Sequence, residues 1–421
     1  MVVGNRHQRM RASLEVQSLT VGDNVRMVSK PYGGKLVNRI LDENEKKRLL
    51  KDIDQRPQIS LDKTAALDIE KIAVGAFSPV EGFMGEEEYN SVLYKESLSN
   101  GLPWTIPLIF APKNLKKPVM EDLKENDEPV LVYNGKRIAI LHLEEKYSFD
   151  KKELAKQVYG TIDSAHPDVK KIDQMGDFLL SGKIDLLERF STQDELTPQE
   201  TRRIFEEKRW ETIAAFQTRN PPHVAHEYVQ RCALELVDGL FIHPVVGELK
   251  EDDFPPEAVM ESYSYLIDNY YPKDRVLLSP LSIAMRYAGP KAAVFLAIIR
   301  KNYGCTHFIV GRDMAGVGKY YDPYGAQVLL RKLDLGIEPM LFRESYYCRI
   351  CKGMASEKTC RHAVEDQLRV SMTQLRGMIA NGVRPPPEVM RTDIADLLMK
   401  YRPHFNKSLT EAKIAISTDK K

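Results

Sequence analysis

The second half of the chain alternates between short apolar runs and helical segments that begin at a proline, and this pattern limits the fold more than any other feature. The apolar runs predict five strands, at 211–216, 239–246, 275–279, 306–310 and 337–342. Between them, helices are predicted at 221–236, 256–270, 290–302 and 323–333. Proline suits the first turn of a helix because the N–H that it lacks would have no partner there. Alternating strands and helices predict a parallel sheet that is covered by helices on both faces.

The first half of the chain predicts a different domain, mostly β with a few helices. Strand-like runs occur at 104–110, 129–133 and 137–143, and Asn134-Gly135 between the last two is typical of a hairpin turn. A helix is predicted at 61–72.

A helix-start signature marks the passage between the two halves. Thr197 is the expected cap, Pro198 the first helical residue, and Glu200 completes a capping box. The predicted division is an N-terminal domain at 1–185 that begins with a peripheral extension over 1–30, a catalytic domain at 186–345 and a small C-terminal domain at 346–421.

The composition excludes several classes of protein. The chain has 421 residues, of which 43% are hydrophobic and 29% charged, and these values are ordinary for a globular protein. A net charge of +1 gives no basic field for nucleic acid. No apolar run reaches the length of a membrane span, and the basic N-terminus lacks the apolar core of a signal peptide. We therefore expect a cytoplasmic protein that binds neither membrane nor nucleic acid.

The loop after the first predicted strand of the α/β region is the strongest candidate site. Asn220 is expected to cap the next helix, whose first turn would hold Pro221 and Pro222. His223 and His226 then lie three residues apart on one face of that turn. Imidazoles, free N–H groups and the positive end of a helix dipole suit a polyphosphate. The alternative is a buried helix start whose histidines have no ligand.

The loop after the fourth predicted strand, residues 311–318, contains three glycines that allow a ligand to approach the backbone. It is neither a Walker A sequence nor GxGxxG. In a parallel sheet, ligands bind at the carboxyl ends of the strands near the switch point, so we predict that this loop faces the loop at 217–226. Asp322 is expected to cap the following helix, with Pro323 as its first residue.

Four soft ligands lie close together near the C-terminus. Cys348, Cys351, Cys360 and His362 fall within fifteen residues, a spacing typical of structural tetrahedral zinc. Free thiols in a loop are the alternative. Ser371 and Thr373 with Arg376 are consistent either with phosphate binding at a helix start or with an ordinary capped helix.

Five stretches of the sequence carry a resemblance to a known family. They are GAFSPVEGFM (75–84), VYGTIDSAHP (158–167), QTRNPPHVAHE (217–227), MRYAGP (285–290) and GCTHFIVGRD (304–313). Together they resemble ATP sulfurylase (sulfate adenylyltransferase), in its prokaryotic type with a zinc-binding cluster. The resemblance implies an α/β protein with a Rossmann-like nucleotidyltransferase domain, preceded by a mostly β PUA-like domain and followed by a small C-terminal domain.

The resemblance also implies a reaction and its participants. MgATP and sulfate give adenosine 5′-phosphosulfate and pyrophosphate, or the reverse, in a protein expected to be a homodimer. Gln217 and Arg219 would hold sulfate, with the backbone of Ala315. Thr218 and Asn220 would orient the α-phosphate.

On the leaving-group and nucleotide sides, the resemblance implies further roles. His223 and His226 would stabilise pyrophosphate, and Arg376 is a weaker candidate for a phosphate contact. The nucleotide would also contact residues 217–220 and the residues Gly311, Arg312, Asp313, Met314 and Met340.

The chain departs from the family pattern at a few positions. Met314 stands where relatives usually have histidine, and Leu296 stands where a histidine is frequent. Two other functions stay open at this point. One is a different nucleotidylyltransferase of the same superfamily, and the other is an RNA-binding protein built from a PUA-like domain and a zinc knuckle, which the near-neutral charge disfavours.

Overall fold

A computed structural model describes residues 29–113, 122–192, 194–248 and 253–402. The extension predicted over residues 1–30 lies almost wholly outside the described residues. The described chain contains three sheets: a mixed six-stranded sheet, a parallel five-stranded sheet and a small antiparallel sheet.

The first sheet belongs to the N-terminal half. Its strands are β1 (Gln58–Ser60), β2 (Gly82–Phe83), β3 (Val130–Tyr133), β4 (Lys136–Leu141), β5 (Glu145–Ser148) and β6 (Phe178–Leu186). The order is β1-β3-β4-β6-β2, with β5 also on β6, and only β1 and β3 pair in parallel. Asn134 and Gly135 join β3 to β4 with φ values of 50° and 76°, which confirms the predicted hairpin turn.

The prediction of a strand at 104–110 is wrong. The segment is a buried connection outside the strands, because Pro103 and Pro107 cannot donate to a ladder. Its polar groups are satisfied locally instead: the backbone N–H of Trp104 donates to Glu96, and its indole N–H donates to the carbonyl of Ile106.

Five helices whose full length lies within the described residues accompany this sheet. They are α1 (Glu43–Leu49), α2 (Lys63–Ala73), α3 (Glu86–Lys95), α4 (Lys151–Tyr159) and α5 (Pro167–Asp173). The prediction at 61–72 is confirmed by α2, which begins after Asp62, whose side chain caps the N–H of Ala65. His166 caps α5.

The second sheet is the predicted parallel sheet. Its strands are β7 (Ile213–Thr218), β8 (Gly239–Pro244), β9 (Val276–Leu278), β10 (His307–Val310) and β11 (Glu338–Leu341), in the order β11-β10-β7-β8-β9. All five predicted strands are confirmed to within two residues at each end. From β7 the chain adds β8 and β9 on one side of the sheet, and then β10 and β11 on the other side of β7. The switch point therefore lies between β7 and β10.

Helices cover both faces of the parallel sheet. They are α6 (Pro198–Glu207), α7 (Val224–Leu234), α8 (Pro256–Tyr270), α9 (Pro290–Asn302) and α10 (Gly325–Leu330). Neighbouring residues of β7 enter different apolar clusters: Ala215 packs with α9, and Ala214 packs with α8. The α9 helix is almost fully buried and joins the cores of the first two sheets through Phe295, which contacts Phe77 and Trp104. The capping box of Thr197 and Glu200 is confirmed.

Two predicted helix starts are wrong. Asn220 does not cap α7: the helix begins at Val224 and its cap position is His223, because Asn220 is held in a tight turn by the Thr218 hydroxyl. Asp322 does not cap α10, which begins at Gly325. The Asp322 carboxylate accepts the N–H of Tyr324 and so makes a turn before the helix.

Within the described residues, the third sheet and two further helices form the C-terminal part. The strands are β12 (Ser345–Cys348), β13 (Gly353–Ser356) and β14 (Gln367–Leu368), and the helices are α11 (Met372–Ala380) and α12 (Thr392–Met399). Ser371 and Gln374 form a capping box at the start of α11, so the predicted helix cap is present.

Candidate active site

The two predicted ligand loops begin at neighbouring strand ends. β7 and β10 pair in parallel, with Ala214 beside His307 and Ala215 beside Phe308. The loop that follows Thr218 and the loop that follows Val310 therefore leave the same edge of the sheet at the switch point. This is the position at which open α/β sheets bind their ligands.

Arg219 is held on two sides. Its guanidinium lies over the ring of Tyr287, with Cζ 5.0 Å from the ring centroid, and its Nε lies 3.5 Å from a carboxylate oxygen of Asp253. The other oxygen of Asp253 accepts a hydrogen bond from Arg376 at 2.6 Å. The ring on one face and the negative charge beside Nε orient the guanidinium, so its terminal N–H groups can bind an anion in a defined direction.

Thr218 and Asn220 form a compact turn beside Arg219. The Asn220 N–H donates to the Thr218 hydroxyl at 3.0 Å, and that hydroxyl lies 3.2 Å from the Asn220 carbonyl oxygen. Within the described residues, the buried side-chain oxygen of Asn220 has no hydrogen-bond partner. A buried polar atom without a partner costs free energy, so this oxygen is a candidate ligand contact. Gln217 is half-buried on β7 beside His243 of β8.

His223 and His226 stack at the start of α7, with ring centroids 3.8 Å apart. Burial lowers the pKa of His223 to about 4. Burial, and next the neighbouring His223, lower the pKa of His226 well below its usual value. Both rings are therefore neutral near pH 7, and each can donate a hydrogen bond through a single N–H. The hydroxyl of Tyr263 lies 3.4 Å from Nδ1 of His226.

Backbone conformation and backbone hydrogen bonds determine the shape of the loop at 311–318. Asp313 and Ala315 both adopt the left-handed conformation, with φ of 56° each. The Asp313 N–H donates to the Pro323 carbonyl at 2.6 Å, and the Ala315 carbonyl accepts the N–H of Gly289 at 3.1 Å. A Cβ at Gly316 would lie 2.3 Å from a carboxylate oxygen of Asp313, so a side chain there would force that carboxylate to move.

The remaining predicted nucleotide contacts surround this loop. Arg312 lies 3.7 Å from the carboxylate of Glu344, and Met340 pairs with Ile309 at the end of the sheet. Met314 packs against the large apolar core. Leu296, the other departure from the family pattern, is buried in that same core.

Arg376 and Arg219 both pair with Asp253, so the three side chains form one cluster of charges. Sequence reasoning missed Asp253 and Tyr287 as parts of the site. Tyr287 lies inside the MRYAGP stretch, so the resemblance carried a signal for it. Asp253 had no local signal, because its partner Arg376 is 123 residues away.

The four predicted metal ligands are brought together. The Sγ atoms of Cys348, Cys351 and Cys360 lie 3.4, 3.3 and 3.4 Å from Nδ1 of His362, and the last two sulfurs are 3.8 Å apart. Tetrahedral zinc places ligand atoms about 3.5 Å (S to N) and about 3.8 Å (S to S) apart, so the set fits. The N–H of Cys351, first among several donors, lowers the pKa of the Cys348 thiol to about 7, which favours a thiolate ligand.

A cavity of about 90 Å³ lies apart from these residues, between α2, α5 and the segment 284–286. Asp68, Asp168 and Arg286 are among its lining residues, and Arg286 donates to Asp68 at 2.6 Å. No predicted substrate contact lines it, so the cavity is not the candidate site. Among the described residues, no helix is long and apolar enough to cross a membrane.

A parallel sheet whose switch-point loops present a guanidinium and two neutral imidazoles suits an α/β nucleotidyltransferase, which must bind phosphates. The ATP-sulfurylase family model matches residues 192–401, and a PUA-like domain model matches residues 29–189. The sulfate adenylyltransferase of Hyperthermus butylicus is 47% identical over 379 residues, covering 89% of this chain and 97% of that protein. The one from Staphylothermus marinus is 47% identical over 383 residues, covering 90% and 100%. The chain belongs to the ATP sulfurylase family.

One solved structure supports the fold alone. It is the hexameric APS kinase from Thiobacillus denitrificans, which matches with a TM-score of 0.71 at 22% identity and covers 90% of this chain and 69% of that chain. The family models and the relatives confirm the predicted family and the PUA-like N-terminal domain, and this structure supports the predicted fold class.

Proposed function

We propose that the protein is a sulfate adenylyltransferase, which converts ATP and sulfate into adenosine 5′-phosphosulfate and pyrophosphate. The observation that carries the proposal is the fixed Arg219, which lies on Tyr287 and beside Asp253 at the switch point. Sulfate adenylyltransferases with 47% identity over nine-tenths of the chain support the same conclusion.

The reaction joins two anions, and this determines what the protein must supply. A sulfate oxygen attacks the α-phosphorus of ATP, and pyrophosphate leaves in line. Sulfate is already ionised, so no general base is required. The site must offset repulsion between the anions and stabilise the charge that develops on the phosphates, which is a task of positioning and electrostatics.

Sulfate binds in this proposal to Gln217, the terminal N–H groups of Arg219 and the backbone N–H of Ala315. A guanidinium matches two oxygens of an oxoanion better than an ammonium does. Thr218 and Asn220 orient the α-phosphate from the turn that they form together.

The two imidazoles stabilise the leaving pyrophosphate. As neutral rings, His223 and His226 donate N–H hydrogen bonds while the positive end of α7 adds a favourable field. A well-placed donor contributes roughly 2.7–4 kcal/mol to such a transition state.

The adenosine part of ATP would lie on the other loop. Gly311, Arg312, Asp313 and Met314 would line it, with the backbone of Met340 beside the base. Magnesium would be bound by the phosphates of ATP, where it neutralises charge. Zinc would be held by Cys348, Cys351, Cys360 and His362. It would connect segments of the third sheet, so its role would be to stabilise the fold rather than to take part in catalysis.

The predicted domain division at residues 185 and 345, the homodimer and the cytoplasmic location are part of the same proposal. The four clustered ligands, with the lowered thiol pKa of Cys348, support a location in a reducing compartment such as the cytoplasm. The reason is that cysteines bind a metal only in their reduced form.

The proposal is tested by ATP formation from adenosine 5′-phosphosulfate and pyrophosphate, coupled to a light-producing ATP assay. Molybdate, which mimics sulfate, should drive cleavage of ATP to AMP. A nucleotidylyltransferase for another acceptor would give neither signal, and folded protein that is inactive in both assays would refute the proposal.

The assignment of Arg219 is tested in the same assays. Arg219→Ala should abolish both activities while the fold persists. Arg231→Ala is the matched control, because Arg231 also lies over a tyrosine, Tyr271 at 4.5 Å, but outside the proposed site. Wild-type rates in Arg219→Ala would contradict the assignment.

A further inference from the structure

Two residues of the N-terminal half hold both backbone polar groups of Tyr287. The carboxylate of Asp168 accepts the Tyr287 N–H at 2.6 Å, and Nε2 of His166 lies 3.1 Å from the Tyr287 carbonyl oxygen. His166 is fully buried and Asp168 is 4% exposed. Both belong to the segment 29–189 that matches the PUA-like domain, whereas Tyr287 belongs to the α/β half.

The tautomer of His166 follows from its contacts. Its Nδ1 accepts the backbone N–H of Asp168 at 3.2 Å as the cap of α5. The proton of the neutral ring is therefore on Nε2, which donates to the Tyr287 carbonyl. The hydroxyl of Tyr321, in the segment after the 311–318 loop, also lies 3.2 Å from Nε2.

The loop that these two residues hold, residues 287–289, contacts two of the three proposed sulfate ligands, Arg219 and Ala315. The ring of Tyr287 supports the guanidinium of Arg219 at 5.0 Å. The Gly289 N–H donates to the carbonyl of Ala315 at 3.1 Å. Gly289 has φ of 52°, and a Cβ there would lie 2.5 Å from the ring of Tyr321, so this loop is closely packed and has little freedom to move.

We infer that His166 and Asp168 are positioning residues for sulfate: they fix the 287–289 loop from the PUA-like domain, and that loop fixes Arg219 and Ala315. The inference rests on the proposed function and assigns the N-terminal domain a part in the sulfate site. The physical basis is that productive geometry is lost when a ligand group moves by even about 0.5 Å, so a loop that aligns two such groups must itself be held.

His166 could matter only because it caps α5, and that structural role must be distinguished from its proposed role in positioning the 287–289 loop. The two roles use different nitrogens of the ring, so a substitution can remove one and keep the other. Asparagine is among the best capping residues, so His166→Asn keeps a cap for α5. Its side chain is too short to place a donor where Nε2 lies, so the bond to the Tyr287 carbonyl is lost. Asp168→Ala removes the acceptor for the Tyr287 N–H, whereas Asp168→Asn keeps an acceptor oxygen.

The experiment measures steady-state kinetics with sulfate varied at saturating MgATP, and with ATP varied at saturating sulfate. His166→Asn and Asp168→Ala should each raise the KM for sulfate about tenfold, with the KM for ATP within about twofold of wild type. Asp168→Asn should stay within about threefold for both substrates. Thermal unfolding of each variant checks that the protein remains folded.

An unchanged KM for sulfate in His166→Asn would overturn the inference, and so would equal increases for sulfate and ATP. If Asp168→Ala fails to fold, His166→Asn decides alone. An inactive wild type would instead refute the proposed function, so the two failures are distinguishable.

Discussion

A carboxylate oxygen of Asp253 lies 3.5 Å from Nε of Arg219, although the two residues belong to different loops at the carboxyl edge of the parallel sheet. An acidic group beside an anion-binding arginine would oppose sulfate if it stood alone. It does not, because Arg376 donates to the other oxygen of Asp253 at 2.6 Å. The three groups together keep a net positive charge, and Arg219 is oriented without losing its attraction for the anion.

We predict that Asp253→Asn weakens both the site and the fold. Arg219 loses a charged partner, so kcat/KM for sulfate should fall about tenfold, equivalent to about 1.4 kcal/mol. Arg376 is 7% exposed. Breaking a buried ion pair costs roughly 3–5 kcal/mol, and the retained amide should reduce that loss of unfolding free energy. Kinetics with sulfate varied and urea unfolding measure the two effects.

The control for this prediction is Asp396→Asn. Asp396 also pairs with an arginine, Arg384, but both side chains are about half exposed. Exposed pairs contribute roughly 0–1 kcal/mol, so this variant should match wild type closely. If Asp253→Asn were as stable as Asp396→Asn and bound sulfate normally, the role given to Asp253 would be wrong.

The sequence predicted the helices, strands and metal ligands better than it predicted which distant residues contact one another in the site. Strands, most helices and the Cys/His cluster were predictable because their signals lie within a few residues of one another. Asp168 and Tyr287 are 119 residues apart, and nothing local relates them. The predicted start of α7 failed for a different reason. Two prolines after Asn220 favour a helix start, but the hydroxyl of Thr218 captures the Asn220 N–H in a turn first.

Removal of the metal should loosen the third sheet and leave the parallel sheet folded. The purified protein is expected to contain about one zinc per chain. Cys351→Ser should lose the metal and lower the thermal midpoint, because β12 and β13 are joined by the segment that carries this ligand. Metal analysis and thermal unfolding with and without a chelator measure this.

The matched control for the metal prediction is Cys232→Ser. Cys232 is a half-buried free thiol on α7, away from the cluster. It should keep the full metal content and the wild-type midpoint. Fully stable wild-type protein without any metal would show that the four residues do not form a structural zinc site.

The paired histidines should make stability depend on pH. In the folded protein the pKa of His223 is about 4, and that of His226 is lowered too, whereas both are near 6.5 in the unfolded chain. Between these values the unfolded chain binds more protons, so the free energy of unfolding rises with pH and is lost as pH falls from about 6.5 towards 4.

Urea unfolding of the wild type and of a His223→Gln, His226→Gln variant, from about pH 7.5 down to about pH 5, measures this dependence. The variant should lose less stability on acidification than the wild type. His243 and His307 also have lowered pKa values and remain in both proteins, so the difference between the two curves reports the pair. Identical curves would contradict the prediction.

Met314, where relatives usually have histidine, should be tolerant of substitution because its neighbours determine the loop. Asp313 and Ala315 hold the two left-handed positions on either side of it. Their backbone bonds to Pro323 and Gly289 do not involve the Met314 side chain. That side chain packs on the apolar core, so Met314→His and Met314→Ala should each lose some stability. Both should keep kcat and the KM for ATP within about threefold, since a nucleotide contact through the backbone survives either change. Assays with ATP varied test this, and a loss of turnover in Met314→Ala that Met314→His does not share would show that the side chain itself binds the nucleotide.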